Sequence, residues 1–486
     1  MSNIAEIIKI AQDKDGMLRR ALERIIQLYT DKSHFIYELL QNAEDAGAQS
    51  IRFVQYADRL EVFHDGKPFT AENLQGLCDI GKSDKVDNLN QIGEFGVGFK
   101  SVFGICDKVR LYSAPAHYTG GDIGNAVPFA VEINDFTRPN DIPEEEVGRS
   151  YTTKFVFPYT VGRTFSGFTT LDELNKAIST KLQNLGITTL LFMRNLELIE
   201  YEISIEGLEV EGQYLLEKKV INEHCLLVSA LGISDGGTSG TEKDEVISYL
   251  KFSRPIDTAS QRTVDIAFPI VVDENGNYEC QWPKDPHISV YFPTETESKL
   301  GFIVQGPYRT TPNRSSIPAE DVDNKRLAHE TALLLRSCLI ELKNAGKLNM
   351  SFVKVLPLSA RSFDNFKLFY PLYETVKTLF MSEAIIPCKN GGYTAAKYAK
   401  ITRPEKLATL FSDHLLSQLI GDGNKYYWLP TYLTETNREY EHVYRYLNGE
   451  LRIGVLRPED LKTYFTANPR FLPQRDDDWL VPRSRG

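Results

Sequence analysis

Glu38, Asn42 and Asp45 fall at i, i+4 and i+7 within FIYELLQNAEDA. That spacing puts a carboxylate, a carboxamide and a second carboxylate on one face of a helix. Such a set can hold a water or a hard cation, but a polar stripe on an amphipathic helix is by itself most often only a solvated face. Three further elements follow in order. Asp65-Gly66-Lys67-Pro68-Phe69 makes a turn after a strand, Ile80-Gly81-Lys82-Ser83-Asp84-Lys85 is polar, and Ile92 to Ser101 reads IGEFGVGFKS. Glycines at 93, 96 and 98 let a backbone come close to a ligand, and N–H groups that open a helix suit phosphate. A lone glycine motif is weak; four elements in this order within about 65 residues are far more specific.

The elements that must position these residues are also legible. Residues 17–30 have helical spacing. Ser33 can cap a second helix that stops at Gly47. IRFVQYA and RLEVFHD predict strands joined by a turn near Asp58, and TTKFVFPY alternates like another strand. Helices and strands in this mixture predict an α+β fold, a two-layer sandwich with helices on one face of a sheet.

ELLQNAEDA, HDGKPF, IGKSDK and IGEFGVGFKS, in that order, resemble the motifs of the GHKL (Bergerat-fold) ATPases, nearest in look to the sacsin and NO VEIN type. The resemblance covers residues 33–158 and ends on Thr152 to Pro158, which is similar to the family's GTxFxxP strand. It implies ATP and Mg²⁺ as ligands. Glu38 matches the general base that activates water, Asn42 the Mg²⁺ ligand, and Asp45 a support for the Mg²⁺ shell or a lysine. Asp65 matches the aspartate that accepts the adenine amino hydrogen. Because Pro68 replaces the second glycine of that box, His64 falls on the aspartate position, and either residue can face adenine. Lys82 and Ser83 match the polar pair beside the nucleotide. Gly93, Phe95, Gly96, Val97, Gly98 and Phe99 match the phosphate loop, and Asp84–Gln91 corresponds to the lid. Thr153 matches the threonine near adenine, with a slip to Thr152 left open. Lys85 and Lys100 are within reach of phosphates or are solvated. A glutamate at position 38 favours hydrolysis over phosphorelay.

Beyond about residue 165, ITTLLFMRNLELIEYEISI, VISYLKFS, VDIAFPIVV and HISVYFP predict strands, and a long amphipathic helix starts at Asn324. FIVQGPYRTTPNRSSI resembles the segment with which the family's second domain reaches the γ-phosphate. Arg314, or else Arg309, is the candidate, since a guanidinium fork pairs phosphate oxygens. A hairpin turn is expected at Asn390-Gly391-Gly392. The expected organisation is an ATP-binding domain over 1–165, a transducer-like α/β middle domain over 166–340 and a mostly helical region over 341–479. LVPRSRG at 480–486 resembles a protease-cleavable linker, a native polar tail being the other reading.

Composition narrows the function classes. Of 486 residues, 42% are apolar and 25% charged, which suits globular domains. A net charge of −11 disfavours direct DNA binding. No apolar run reaches the ~20 residues of a membrane span, and the N-terminus lacks a signal-peptide pattern. The six cysteines are scattered, as in a reducing cytoplasm. The reading is an ATPase whose lid and domains close on ATP within a larger chaperone-like or defence-type machine. Its expected partners are an unidentified protein client or effector domain, with a nucleotide-dependent dimer also in view. The alternatives are a nucleotide-sensing scaffold with negligible hydrolysis and the ATPase subunit of a DNA-processing system.

Overall fold

The computed structural model describes residues 23, 32–78, 98–114, 118, 126, 128–134, 136, 138–163, 167–235, 243–257, 262–311 and 316–475. The predicted helix over 17–30 lies outside them except for Glu23, which is helical. The fold is α+β, built on one large mixed sheet.

Helix α1, Phe35–Asp45, forms where the sequence predicts it, with Phe35, Ile36, Leu39, Leu40 and Ala43 buried. Its start differs from expectation. His34, not Ser33, occupies the N-cap position, without a side-chain cap bond. Its end is as expected, since Gly47 takes a φ of +72° that side-chain-bearing residues rarely adopt. Strands β1 (Ser50–Tyr56) and β2 (Arg59–His64) make an antiparallel hairpin. Helix α2, Ala71–Cys78, follows. A 3₁₀ segment, Gly98–Gly104, leads to β3 (Lys108–Ser113), β4 (Phe129–Asn134), β5 (Arg138–Asp141) and β6 (Thr153–Pro158). Strand β6 lies between β2 and β3.

Helix α3, Leu171–Gln183, opens with a capping box from Thr170 and Glu173. The segment expected to be one strand over 187–205 divides into a 3₁₀ turn, Ile187–Leu190, and strand β7, Leu198–Ile205. Strand β7 pairs in parallel with β1 over seven residues. From there β8 (Leu208–Asn222), β9 (Cys225–Ser234), β10 (Lys243–Pro255) and β11 (Thr263–Val272) continue the same sheet antiparallel. HISVYFP is likewise two strands, β13 (His287–Val290) and β14 (Phe292–Glu297), broken at Tyr291 with φ +62°. With β12 (Tyr278–Cys280) and β15 (Ile303–Gln305), fifteen strands among the described residues share one sheet. The long helix is α4, Val322–Asn344, capped by Asp321. The hairpin at 390–392 forms, with Gly391 and Gly392 both at positive φ.

The apolar cores cut across the three-part organisation expected from sequence. One core joins Phe35 and Leu39 of α1 to Ile199, Tyr214, Phe292 and Ile303. A second runs from Cys225 and Phe268 through α4 to Leu433 and Ile453. Neither boundary, at 165 or at 340, coincides with a break in packing.

Glu44 ties α1 to the start of β7. It is 3% exposed, and its carboxylate accepts the backbone N–H groups of Arg194 at 2.8 Å, Asn195 at 3.1 Å and Leu196 at 2.8 Å, together with the Asn195 amide at 3.2 Å. A buried carboxylate is tolerable only when surrounded by donors in this way. Replacing it strands several buried N–H groups, so Glu44→Ala should lower stability by on the order of 3 kcal/mol. The denaturant midpoint reports this, and a shift no larger than that of an exposed glutamate variant would remove the anchoring role.

Candidate active site

Glu38 is buried at 8% exposure on α1, with His34 Nε2 at 3.4 Å from its Oε1. Asn42 and Asp45, one and two turns further, are partly buried on the same helix. Facing Glu38 is the first residue of the 3₁₀ segment. A Cβ built on Gly98 would overlap Oε2 of Glu38 and lie 2.8 Å from its Cδ. Position 98 therefore carries no side chain because the carboxylate occupies that space. Phe99 belongs to the core, 5.6 Å from the Phe155 ring. Lys100 does not lie in solvent. It is 2% exposed and donates to the carbonyls of Leu77 and Phe136, which closes the segment onto α2.

The sheet supplies the second half of the site. Register sets Ile51 opposite His64, His64 opposite Thr153, and Thr153 opposite Ser113. The next row on the same face is Phe53, Val62, Phe155 and Leu111, all within the core that contains α1. A buried row of polar side chains thus ends an otherwise apolar, helix-facing surface, with His64 3%, Thr153 0% and Ser113 4% exposed. Ser113 Oγ accepts the Phe69 N–H at 3.2 Å, and His64 Nδ1 accepts the Gly66 N–H at 3.3 Å. Burial pushes the His64 imidazole down to about 4, against the opposing pull of the Asp65 charge. Among the described residues Thr153 Oγ1 has no hydrogen-bond partner. An orphaned buried hydroxyl is uncommon and points to a missing ligand or water.

Asp65, which with His64 was expected to offer the adenine contact, has both carboxylate oxygens engaged. Its Oδ1 accepts the N–H groups of Gln49 at 2.8 Å and Ser50 at 3.0 Å, and its Oδ2 accepts the Ser50 hydroxyl at 2.9 Å. Both oxygens fasten the start of β1. Thr152 is likewise committed, donating to the carbonyls of Gly66 and His64, so Thr153 is the threonine in the polar row. Arg309 pairs with Asp323 at 2.7 Å and Asp321 at 3.6 Å, beside the N-terminus of α4. Lys82, Ser83, Gly93, Phe95, Gly96, Val97 and Arg314 lie outside the described residues. Sequence reasoning missed Glu44 and Ser113, which carry no motif signal: one is an acid within a helix, the other a serine at a strand end.

Residues 16–119 match a family described as the Sacsin domain. The chain is 25% identical over 439 residues to Protein NO VEIN of Arabidopsis thaliana, covering 86% of this chain and 15% of that protein. It is 32% identical over 124 residues to human Sacsin, covering 22% of this chain and 3% of that protein. It is also 32% identical over 134 residues to Chaperone protein HtpG of Desulfitobacterium hafniense, covering 20% of this chain and 21% of that protein. The chain thus resembles sacsin- and NO VEIN-type proteins of GHKL character, with HSP90-like relatedness through HtpG. It spans less than a quarter of each of these relatives. Among the described residues no helix is long and apolar enough to cross a membrane.

Two glycines separate site chemistry from stability. At Gly98 the nearest atoms an added methyl meets belong to the flexible Glu38 side chain. Gly98→Ala should therefore cost little stability, within about 1 kcal/mol, while displacing the carboxylate. At Gly66 the same methyl meets Ala46 Cβ and O at 2.9 Å, so Gly66→Ala should cost about 1–3 kcal/mol. Paired melting curves test this, and equal losses would refute the packing assignment.

His64 sets a pH dependence. The folded imidazole, at about 4, takes up its proton later than the unfolded one at 6.5. The unfolded state therefore binds more protons between these values. Stability is full above about pH 6.5, falls as pH drops toward 4 and levels off below, by on the order of 3 kcal/mol. His64→Gln should flatten this part of the unfolding free energy profile; parallel profiles would show that another group titrates.

Proposed function

We propose that the chain binds ATP between α1 and the polar row of the sheet and hydrolyses it with Mg²⁺. The observation that carries this reading is Glu38, a buried carboxylate on α1 pressed against the glycine that opens the 3₁₀ segment. The residues present fit the ligand. Thr153 offers an unused hydroxyl, and the Asn42 carboxamide suits a hard cation without adding charge. Mg²⁺ is usually held by few protein ligands together with phosphates and waters, so Asn42 would serve as its protein ligand and Asp45 as support. Held there, Mg²⁺ would supply positive charge to the phosphates. Glu38 would orient a water and take its proton. Arg314 would bring a fixed positive charge to the γ-phosphate, with Lys82 and Ser83 beside the nucleotide.

The likeness to Chaperone protein HtpG supports a chaperone-like role in which nucleotide turnover drives a conformational change. A protein client or effector domain, a nucleotide-dependent dimer and a cytoplasmic setting belong to the same proposal. Glu38→Ala should retain ATP affinity and lose turnover by about 10²–10⁴-fold. Arg314→Ala should also lower turnover far more than affinity, because it acts on charge developing in the transition state. Phosphate release and calorimetry on the same folded preparations decide the matter. Unchanged turnover in Glu38→Ala would place the base elsewhere, and binding without any turnover in the parent protein would favour a nucleotide-sensing scaffold.

A further inference from the structure

Residues 191–197, between the 3₁₀ turn Ile187–Leu190 and β7, are held from two sides. From α1, the Glu44 carboxylate takes the N–H groups of Arg194, Asn195 and Leu196. From the strands after β7, two lysines take carbonyls of the same stretch. Lys218 of β8 donates from Nζ to the Arg194 carbonyl at 3.1 Å, and Lys251 of β10 donates to the Leu191 carbonyl at 3.1 Å. The Arg194 guanidinium reaches the Tyr291 hydroxyl at 3.3 Å, at the break between β13 and β14. Neither lysine is freely solvated: Lys251 is 9% exposed and the Lys218 side chain 19%. Lys251 Nζ lies 5.3 Å from the Phe192 ring centroid, and Lys218 also pairs with Glu197 at 3.2 Å.

The Arg194 carbonyl and the Asn195 N–H belong to one peptide group, which is planar and stiff. Lys218, that peptide and Glu44 therefore make a chain of hydrogen bonds from β8 to α1, with Nζ–H donating to C=O and N–H donating to the carboxylate. Bonds in such a chain strengthen one another, because a donor on the carbonyl polarises the N–H at the other end of the peptide. Glu38 lies six residues before Glu44 on the same helix. The helix ladder makes them one rigid element, so whatever holds Glu44 also sets where Glu38 meets Gly98.

We propose that Lys218 is a positioning residue for Glu38, acting through the 194–195 peptide and Glu44, with Lys251 steadying the same stretch at Leu191. The proposal rests on the nucleotide reading above and names a residue outside that site on which its hydrolytic geometry depends. A reacting group displaced by about 1 Å can lose on the order of a hundredfold in rate, whereas ligand affinity depends on the groups that touch the ligand.

Lys218→Met keeps a long side chain and removes the donor. In this variant ATP affinity should stay within about threefold of the parent, while turnover should fall by about tenfold. Lys218→Arg, which restores a donor, should recover most of that turnover. Ile266→Val, in the core that does not contain α1, weakens the fold without touching the 191–197 stretch and should leave turnover per folded molecule unchanged. Hydrogen exchange without nucleotide gives a readout independent of activity. The amides of residues 194–196 should exchange about tenfold faster in Lys218→Met, and in Ile266→Val no faster than its lost stability dictates. Parent-like turnover in Lys218→Met, a loss that Ile266→Val reproduces at equal stability, or a loss that Lys218→Arg does not recover would overturn this inference and leave the nucleotide reading standing. A parent chain that binds and turns over no ATP would remove the nucleotide reading. Unchanged exchange at residues 194–196 in Lys218→Met would overturn the coupling from β8 to α1 in either case, and faster exchange would uphold it.

Discussion

A carboxylate buried away from water must be given donors, and Glu44 organises much of the molecule by that demand. Its oxygens collect the N–H groups of residues 194–196, the turn that delivers the chain to β7. Strand β7 then pairs in parallel with β1, and β1 is itself held at its start by Asp65. Two acids, Glu44 buried and Asp65 half-buried, therefore fix both ends of the α1-to-β1 connection. Glu38 lies six residues before Glu44, about 120° away around the helix. One side of α1 is locked to the scaffold, and another presents a carboxylate to the glycine segment. A reacting group is held best when the element carrying it is pinned elsewhere by packing and hydrogen bonds.

This arrangement bears on how nucleotide binding could be transmitted. The pairing of β1 with β7, and a core shared from Phe35 to Ile303, join the described residues before 165 to the strands after them in one packed unit. A hinge between them would have to open seven residues of ladder and expose apolar side chains such as Ile199 and Ile203, both fully buried. Tyr37, next to Glu38, already packs on Phe292 at 4.8 Å. The strands after residue 165 thus touch the helix that bears Glu38.

Much of this was legible in the sequence where the signal is local. The α1 face follows from spacing, its end from Gly47, the β1–β2 hairpin from alternation, and the 390–392 turn from adjacent glycines. What was not legible depends on partners distant in sequence. Lys100 looks like a phosphate ligand beside a glycine motif until Leu77 and Phe136 supply its acceptors. Glu44 looks like any helix acid until residues 150 positions later bring their N–H groups. A change in local pattern near 165 likewise says nothing about a parallel strand that rejoins the earlier sheet.

Asp65 and His64 show how one residue of offset decides chemistry. A turn motif read by residue type favours the aspartate, because a carboxylate is the obvious acceptor for an amino group. Strand pairing is stricter, since successive side chains leave a strand on opposite faces and a shift of one reverses every assignment. His64 is the last residue of β2 and stands opposite Thr153. Asp65, one step beyond, turns back to β1. The two are also coupled electrostatically: the Asp65 charge pulls the His64 imidazole toward protonation, while burial opposes it and prevails. Asp65 fastens β1 while burial keeps the imidazole neutral, which leaves the sheet face a polar row without a net charge.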